Sequence, residues 1–253
     1  MLIKVDAKAL EWRVAAYLSQ DAVAIEEIKN GVDIHEENRK HFNLPSRLIA
    51  KTFIFRLIFG GTEYSYAKDP EFTEVSRDPE FWKEIIDGTY RKYSGLARWH
   101  EDLVRRAISD GCITTPSGRR FTFSSYRDNR GNLKWPRTTI LNYPVQGTSA
   151  DLMMIARISA KKRLKKYGDR VLLVNTVHDS IELDVNLGVD KDYELCYNVC
   201  TVLEEVFKDI PSNFKKLYKE EFNVPLLGEV SFGNNLLNMK EFKHDHREDQ
   251  FHG

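Results

Sequence analysis

The sequence predicts an α+β protein in which a small sheet is interrupted by a long helical block. Three observations support this prediction. A short β-like run, Leu2 to Val5, stands at the start of the chain, whereas the pattern from about Asp21 to Gly111 is helical. Two apolar runs between Val171 and Val185 then predict a β-hairpin. Two further elements complete the prediction, a helical stretch at 190–222 and a last strand at 224–233.

Local signals justify the elements between these landmarks. The tetrapeptide DPEF occurs at Asp69 and again at Asp78, and each copy predicts a helix start, because Asp can cap, Pro suits the first helical position and Glu favours the helix dipole. Residues 115–123 predict a turn and a strand, and the polar residues 126–136 predict a loop. Thr138 to Lys166 is a predicted helix, and its basic end KKRLKK complements the C-terminal dipole.

Composition gives no sign of a polyanion-binding protein as a whole. The chain has 253 residues, and its 38 Lys+Arg balance its 38 Asp+Glu, although a local cleft could still be positive. Its three cysteines form no metal-ligand pattern, and neither a signal peptide nor a membrane span is recognisable. We therefore expect a cytoplasmic protein without a membrane partner.

The C-terminal residues 243–253 form a polar tail. His244, His246 and His252 lie in it and could bind a metal ion. We expect a disordered, solvated end instead.

Two carboxylates end predicted strands. Asp6 follows the run LIKV, and Asp179 follows the run LVNTV. If the two strands are neighbours, the acids converge and repel each other unless divalent cations lie between them. Such a pair is the minimal protein ligand set for two metal ions that activate an attacking oxygen and stabilise a leaving one. The alternative is that each Asp caps a turn, and spacing alone leaves both possibilities open.

A second pattern lies in SRLIAKTFIFRLIFGG, residues 46–61. Arg47, Lys51, Phe55 and Phe59 recur every four residues, so one helix face presents two cations and then two rings. Cations near a helix N-terminus gain nothing from the dipole, but they suit a site for an anion such as a triphosphate. The rings could stack on a base and sugar. The alternative is a solvated Arg/Lys pair beside two core phenylalanines.

These residues resemble family A DNA polymerases. Arg47, Lys51, Phe55 and Gly60 match motif B, R-x3-K-x3-(F/Y)-x3-(Y/F)-G. Three other segments resemble family motifs. VDAKALEWR resembles motif A, NYPVQGTSADLM resembles the segment N-x-P-x-Q-G-T-A-A-D between motifs B and C, and TVHDS resembles motif C. All four motifs occur in the family's order. The similarity runs from about residue 2 to residue 242.

The resemblance implies an antiparallel palm sheet with packed helices, interrupted by a helical fingers subdomain. We expect palm at 1–20, fingers at 21–130 with the motif B helix at about 46–60, and palm again at 131–242 with the motif C hairpin at about 171–185. It implies that Asp6 and Asp179, with the backbone carbonyl of Ala7, hold two Mg²⁺ ions.

By the same resemblance, six residues form the nucleotide site, namely Glu11, His35, Arg47, Lys51, Phe55 and Phe59. Lys51 is expected to bind the triphosphate and act as the general acid for pyrophosphate, and Arg47 and His35 are expected to clamp the outer phosphates. Glu11 would crowd the sugar 2′ position and so favour deoxyribonucleotides. The rings that would contact the sugar and base are Phe55 and Phe59.

The resemblance also implies contacts with primer-template DNA. Asn142, Gln146 and His178 would contact its minor groove, and Arg119 would contact a backbone phosphate. Three departures from the family pattern are Ala7-Lys8-Ala9 beside the first aspartate, Arg56 where Gly is common, and Ser180 in place of the second acid of motif C.

The thumb and any 3′ to 5′ exonuclease precede motif A in the family. We therefore expect a split polymerase that is completed by a separate N-terminal chain and encoded by a phage. Two alternatives remain open. The first is a non-catalytic DNA-binding or scaffold subunit, which would be expected to have lost its aspartates. The second is a relative of single-subunit RNA polymerases, which Glu11 and the QGTSAD segment disfavour.

Overall fold

A computed structural model of the chain describes residues 1–246 and 249–251. The helices in these residues are α1 Leu10–Ser19, α2 Ala22–Lys29, α3 Ile34–His41, α4 Arg47–Ile58, α5 Glu63–Lys68, α6 Pro70–Thr73, α7 Pro79–Lys92, α8 Ser94–Asp110, α9 Arg137–Leu164, α10 Tyr193–Lys208 and α11 Ile210–Tyr218. The strands are β1 Leu2–Ala7, β2 Cys112–Thr114, β3 Arg120–Thr122, β4 Tyr126–Arg127, β5 Leu133–Lys134, β6 Val171–Val177, β7 Ser180–Val185, β8 Gly228–Gly233 and β9 Lys240–Glu241. The α+β prediction is confirmed.

The chain divides into two compact units. One unit, here called the sheet unit, comprises Met1–Leu10 and Ser149–Gly253, and the other, the helical unit, comprises Glu11–Thr148. The expected palm and fingers change at residues 20/21 and 130/131, so the compact units divide the chain at other positions.

A five-stranded antiparallel sheet forms the sheet unit, in the order β6-β7-β1-β8-β9. Its central strand β1 alternates buried and partly exposed residues, with Ile3 and Val5 fully buried. Period-two alternation of this kind gives a strand one core face and one wetter face. Helix α10 packs against β1 and β8 and covers the core face. The wetter face of β1 therefore carries Lys4 and Asp6.

Two predictions about the end of the sheet unit need correction. The helical stretch expected at 190–222 is two helices, α10 and α11, because Pro211 at the start of α11 lacks the N–H that a continuous helix needs. The predicted last strand is β8, but β9 follows it and pairs with it antiparallel. A two-residue strand is too short to show a periodic pattern.

The prediction of a solvated tail is wrong at Phe251. This side chain is only 3% exposed, and its ring centroid lies 4.3 Å from that of Phe232. Burial of one aromatic side chain can stabilise a short terminal segment that is polar elsewhere. His244 lies 2.6 Å from a carboxylate oxygen of Glu204. His252 lies outside the described residues.

The helical unit is held together by a buried carboxylate. Asp21 caps α2 by accepting a hydrogen bond from the Ala24 N–H at 2.9 Å. Its second oxygen accepts from the N–H groups of Gly95 at 2.6 Å and Leu96 at 3.2 Å, at the start of α8. Two helix N-termini, each with a partial positive charge, thus share one anion.

Two small hairpins follow α8. Hairpin β2–β3 packs with α8 and the start of α9 around a cluster that includes Ile113, Phe123 and Leu141. Residues 126–136, predicted to be a loop, instead contain the hairpin β4–β5. Its strands have two residues each, so their alternation could not be recognised in the sequence. In the part of the chain that the structure describes, no helix is long and apolar enough to span a bilayer.

Candidate active site

The sheet unit brings the two predicted aspartates to neighbouring strand ends. β1 pairs with β7 so that Asp6 lies opposite Ser180, the residue directly after Asp179. The N–H of Ala7 donates to the carbonyl oxygen of Asp179 at 2.9 Å. The condition on which the carboxylate pair depended, that the two strands are neighbours, is therefore met.

The turn between β6 and β7 presents His178 and Asp179 to solvent. Val177 and Ser180 form the last pair of the ladder, and His178 has a φ of 51°, in the left-handed region. Histidine tolerates this conformation better than β-branched residues do. His178 is exposed, and Asp179 is partly exposed.

Ser180 has a structural role in this turn. Its side chain is buried, and its hydroxyl donates to the carbonyl oxygen of Val177 at 3.0 Å. A carboxylate at this buried position would lack the hydroxyl proton that makes this bond. The replacement of the second motif C acid by serine is thus accommodated by the fold, and two acids remain as candidate metal ligands.

Lys4 is a neighbour that the sequence reasoning missed. Its ammonium lies 3.0 Å from a carboxylate oxygen of Asp6. Residues two apart in a strand share a face, which is the signal that could have identified it. Both side chains are partly exposed, so this ion pair is weak enough to be exchanged for another cation.

The helical unit holds the cationic face that was predicted on α4. Ser46 caps this helix by accepting from the Ile49 N–H at 3.2 Å, and Arg47 is its first residue. Arg47 donates from Nε to a carboxylate oxygen of Asp33 at 2.7 Å. The other oxygen of Asp33 accepts from the N–H groups of His35 and Glu36, so Asp33 joins the start of α3 to the start of α4.

The two rings of this face are not core residues. Phe55 and Phe59 are half-buried, whereas the core position on the same helix is filled by Phe53, which is fully buried. The exposed Lys51 has its Nζ 5.8 Å from the centroid of the Phe55 ring. This arrangement disfavours the alternative of two core phenylalanines and leaves a cation and a ring available on one surface.

His35 is a buried, neutral imidazole. Its side chain is 6% exposed, its Nδ1 has no hydrogen-bond partner, and its ring centroid lies 6.1 Å from that of Phe55. Burial, with the positive charge of Arg47 as the next cause, lowers the pKa of His35 to about 4. At neutral pH this side chain can therefore offer a hydrogen bond but no charge.

The depressed pKa of His35 predicts acid lability. Between pH 6.5 and 4 the unfolded chain binds a proton at His35 that the folded chain does not, so stability is complete above pH 6.5 and falls as the pH is lowered towards 4. The contribution reaches about 3 kcal/mol at most. Urea unfolding of the nucleotide-free chain at pH 4.5 and 7 measures it. We expect His35→Leu to reduce the difference between the two pH values and His41→Gln, at an exposed position, to leave it unchanged.

Arg56, the second departure from the motif, has a structural explanation. Its guanidinium donates to Asp69 at 2.7 Å and lies 3.5 Å from a carboxylate oxygen of Glu71. It also covers the ring of Phe72, with its central carbon 4.8 Å from the centroid. Arg56 thus attaches α6 to α4.

The remaining predicted residues lie on α1, α9 and hairpin β2–β3. Glu11 lies in the first turn of α1. Asn142 and Gln146 are one turn apart on α9, and Gln146 is exposed. Gly147 lets β2–β3 approach this helix, because a Cβ there would lie 2.5 Å from the Phe121 ring and 3.0 Å from the Arg119 side chain.

The predicted residues are thus distributed over both units. Four of them lie in the sheet unit, Asp6, Ala7, His178 and Asp179. The others lie in the helical unit, Glu11, His35, Arg47, Lys51, Phe55, Phe59, Arg119, Asn142 and Gln146.

Comparison with known proteins gives one consistent result. The family model described as DNA polymerase family A matches residues 1–238. DNA polymerase I of Lactococcus lactis subsp. cremoris is 29% identical over 197 residues, which are 74% of this chain and 22% of that protein. DNA polymerase I of Caldicellulosiruptor bescii is 26% identical over 249 residues, which are 95% of this chain and 27% of that protein. The chain spans about a quarter of the length of these relatives.

A solved structure gives the same fold. The POL domain of Pol1 from M. smegmatis, in complex with DNA primer-template and dNTP, matches with a TM-score of 0.73 at 24% identity. The match covers 92% of this chain and 39% of that chain.

Proposed function

Because the chain belongs to DNA polymerase family A, we propose that it adds deoxynucleotides to the 3′-hydroxyl of a DNA primer under the direction of a template. The observation that carries this proposal is the pairing of β1 with β7, which sets Asp6 and Asp179 at neighbouring strand ends. The proposal includes a palm made of residues 1–20 and 131–242 and fingers made of residues 21–130.

Two Mg²⁺ ions are the proposed cofactor, held by Asp6, Asp179 and the backbone carbonyl of Ala7. The two carboxylates at neighbouring strand ends fit this ion, because Mg²⁺ commonly takes one or two carboxylates and completes its shell with phosphates and water. When bound, the ions would lower the pKa of the primer hydroxyl and neutralise charge on the triphosphate.

The cations of the helical unit would bind the triphosphate. Lys51 is the proposed phosphate ligand and proton donor to the leaving pyrophosphate. Arg47 would exchange its bond with Asp33 for a bond with an outer phosphate, and His35, being neutral, would contribute a hydrogen bond. Phe55 and Phe59 would contact the sugar and base, and Glu11 would exclude a 2′-hydroxyl.

Contacts with primer-template DNA complete the proposal. Asn142, Gln146 and His178 would read the minor groove, where all correct pairs present acceptors. Arg119 would bind a backbone phosphate. Of these residues, Gln146, His178 and Arg119 are exposed.

We further propose that this chain has a partner in the cytoplasm of a host cell. The partner is a separate N-terminal chain that carries the thumb and, where the polymerase proofreads, a 3′ to 5′ exonuclease. β6 lies at an edge of the sheet, and its Leu172, Val174 and Val177 are all exposed. An apolar edge strand is a surface that another polypeptide can cover. The molecular mass of the species purified from the native source tests this proposal. A mass equal to that of this chain alone would contradict it.

The ion pair between Lys4 and Asp6 favours a second candidate function, that of a non-catalytic DNA-binding or scaffold subunit. In that case the ammonium would permanently neutralise the acid that a metal ion needs. Primer extension with the natively purified chain separates the two functions. We expect extension with dNTPs in Mg²⁺ and much slower extension with rNTPs, whereas DNA binding without extension would favour the scaffold.

Lys4→Met is expected to lower the Mg²⁺ concentration required for half-maximal extension, by about 3- to 10-fold, because it removes a competing cation from Asp6. Titration with Tb³⁺, followed by its luminescence, measures metal affinity without any reaction and should shift in the same direction. Lys8→Met is the matched control, because it removes a nearby lysine whose ion pair is with Glu229, at 2.9 Å. An unchanged metal requirement in Lys4→Met would show that the ion pair does not compete.

A further inference from the structure

The hairpin β4–β5 concentrates positive charge in a chain that is neutral overall. Residues 115–137 contain Arg119, Arg120, Arg127, Arg130, Lys134 and Arg137 but only one acid, Asp128. One carboxylate oxygen of Asp128 accepts hydrogen bonds from the backbone N–H groups of Asn132 and Arg130, and the other accepts from the side-chain amide of Asn132. These bonds, that from Asn132 first, lower the pKa of Asp128. Its charge is therefore used inside the turn, and the outer surface of the hairpin is cationic.

The turn of this hairpin is closed by hydrogen bonds within the turn. Gly131 has a φ of 80°, which suits the left-handed position after a tight turn, and its N–H donates to the Asp128 carbonyl oxygen at 2.9 Å. The Asp128 N–H donates to the Asn132 carbonyl oxygen at 2.9 Å, and Arg127 donates to the Gly131 carbonyl oxygen at 2.7 Å. A preformed turn loses little conformational entropy when it binds a ligand.

Both ends of the hairpin are anchored in the helical unit. Phe123, just before β4, is buried in the cluster beneath hairpin β2–β3, and Trp135, just after β5, packs against the same cluster. The residues between them, except the half-buried Asp128, are exposed. The hairpin is therefore an exposed, cationic projection whose two ends are fixed to an apolar cluster.

The exposed side chains of the hairpin combine an aromatic ring with cations. Tyr126 lies opposite Lys134, and Arg127 lies opposite Leu133, so each pair shares a face. Tyr126 is 53% exposed and Leu133 60% exposed. The positive charge of Lys134 also lowers the pKa of Asp128, but among the described residues no carboxylate oxygen lies within ion-pair distance of Lys134 or Arg130.

We propose that hairpin β4–β5 binds single-stranded DNA, with a base stacked on Tyr126 and phosphates paired with Lys134 and Arg130. A ring beside cations fits a single strand, because its bases expose the faces that a duplex hides. The cations add affinity without sequence preference. We identify this single strand as the unpaired template, and that identification rests on the proposed function. Binding itself requires no reaction.

Fluorescence anisotropy with labelled dT20 in EDTA tests the hairpin directly. We expect Tyr126→Ala to weaken binding about 5- to 100-fold and Tyr126→Phe, which keeps the ring, to retain it. Tyr64→Ala is the matched control, since Tyr64 is 60% exposed and lies on α5 of the same unit. The double variant Arg130→Ala/Lys134→Ala should reduce the salt slope of log Kd by about 1.4.

Two outcomes would overturn the inference. The first is wild-type affinity of Tyr126→Ala for dT20, and the second is an equal loss for dT20 and for a blunt duplex of the same length. Because the assay contains neither metal nor nucleotide, its result is independent of polymerase activity. A chain that binds dT20 through the hairpin but fails to extend primers would contradict the proposed function alone.

Discussion

Asp179→Asn should lower the rate of nucleotide incorporation by about 10³-fold or more, while the protein folds normally. The neutral amide keeps the size of the side chain but removes one of the two charges that we propose to hold Mg²⁺, and metal ions supply several kcal/mol of charge stabilisation in such reactions. Folding should be unaffected because the Asp179 side chain is partly exposed, because the amide keeps its size, and because the ladder bond uses its backbone carbonyl. Single-turnover incorporation of one dNTP measures the effect.

Asp184→Asn is the matched control for this prediction. Asp184 is an exposed acid on β7, the strand that begins directly after Asp179, and it lies opposite Leu2. Among the described residues, its ion-pair partner is the N-terminal amine at 3.7 Å. It should retain wild-type incorporation. Equal activity of Asp179→Asn and Asp184→Asn would remove Asp179 from the metal site.

Asp21→Ala should be the most destabilising single substitution considered for the helical unit, at about 3 kcal/mol. It leaves the N–H groups of Ala24, Gly95 and Leu96 without their buried acceptor. Each buried donor left unsatisfied costs about 1–3 kcal/mol, and the loss is partly relieved by relaxation. No side-chain cap is present at the start of α8 to compensate. Urea unfolding gives the change in the free energy of unfolding.

The control for Asp21 is another capping aspartate in an exposed position. Asp78 caps α7 by accepting from the Glu80 N–H at 3.0 Å, and Asp78→Ala should cost about 1 kcal/mol. If Asp21→Ala cost no more than Asp78→Ala, the shared anion between α2 and α8 would not be a main support of this unit.

Local patterns were sufficient to predict much of the fold. The helix starts at Asp69 and Asp78 are N-caps with proline directly after them, as expected from DPEF. The hairpin between Val171 and Val185 is β6–β7, and its turn lies at His178 and Asp179 as expected. These elements are determined by residues close together in sequence, which is why periodicity and capping signals identify them.

Features that depend on long-range contacts were not predictable. Asp21 reads as an ordinary helix cap, and only the structure shows that it also accepts from Gly95, which is 74 residues away. Arg56 read as a departure from a motif, but its partners Asp69 and Glu71 lie beyond the next turn of chain. Phe251 stood in a polar tail, and its burial depends on Phe232. Spacing along the chain carries no information about such partners.

The candidate site shows the same division. The apolar runs before Asp6 and Asp179 predicted that each acid follows a strand. The register of β1 with β7 in the structure makes the two acids neighbours. The neutral state of His35 follows from burial, which its sequence context did not reveal. Lys4 was within reach of a simple alternation argument but was not distinguished from an ordinary surface lysine.

Metal-directed cleavage tests the central claim, that Asp6 and Asp179 form the metal site, most directly. Fe²⁺ replaces Mg²⁺ at carboxylate sites and, with ascorbate and peroxide, cuts the nearby peptide backbone. We predict cuts close to Asp6 and Asp179 that excess Mg²⁺ suppresses and that Asp179→Asn abolishes. Cuts confined to other parts of the chain, or cuts that persist unchanged in Asp179→Asn, would contradict the account.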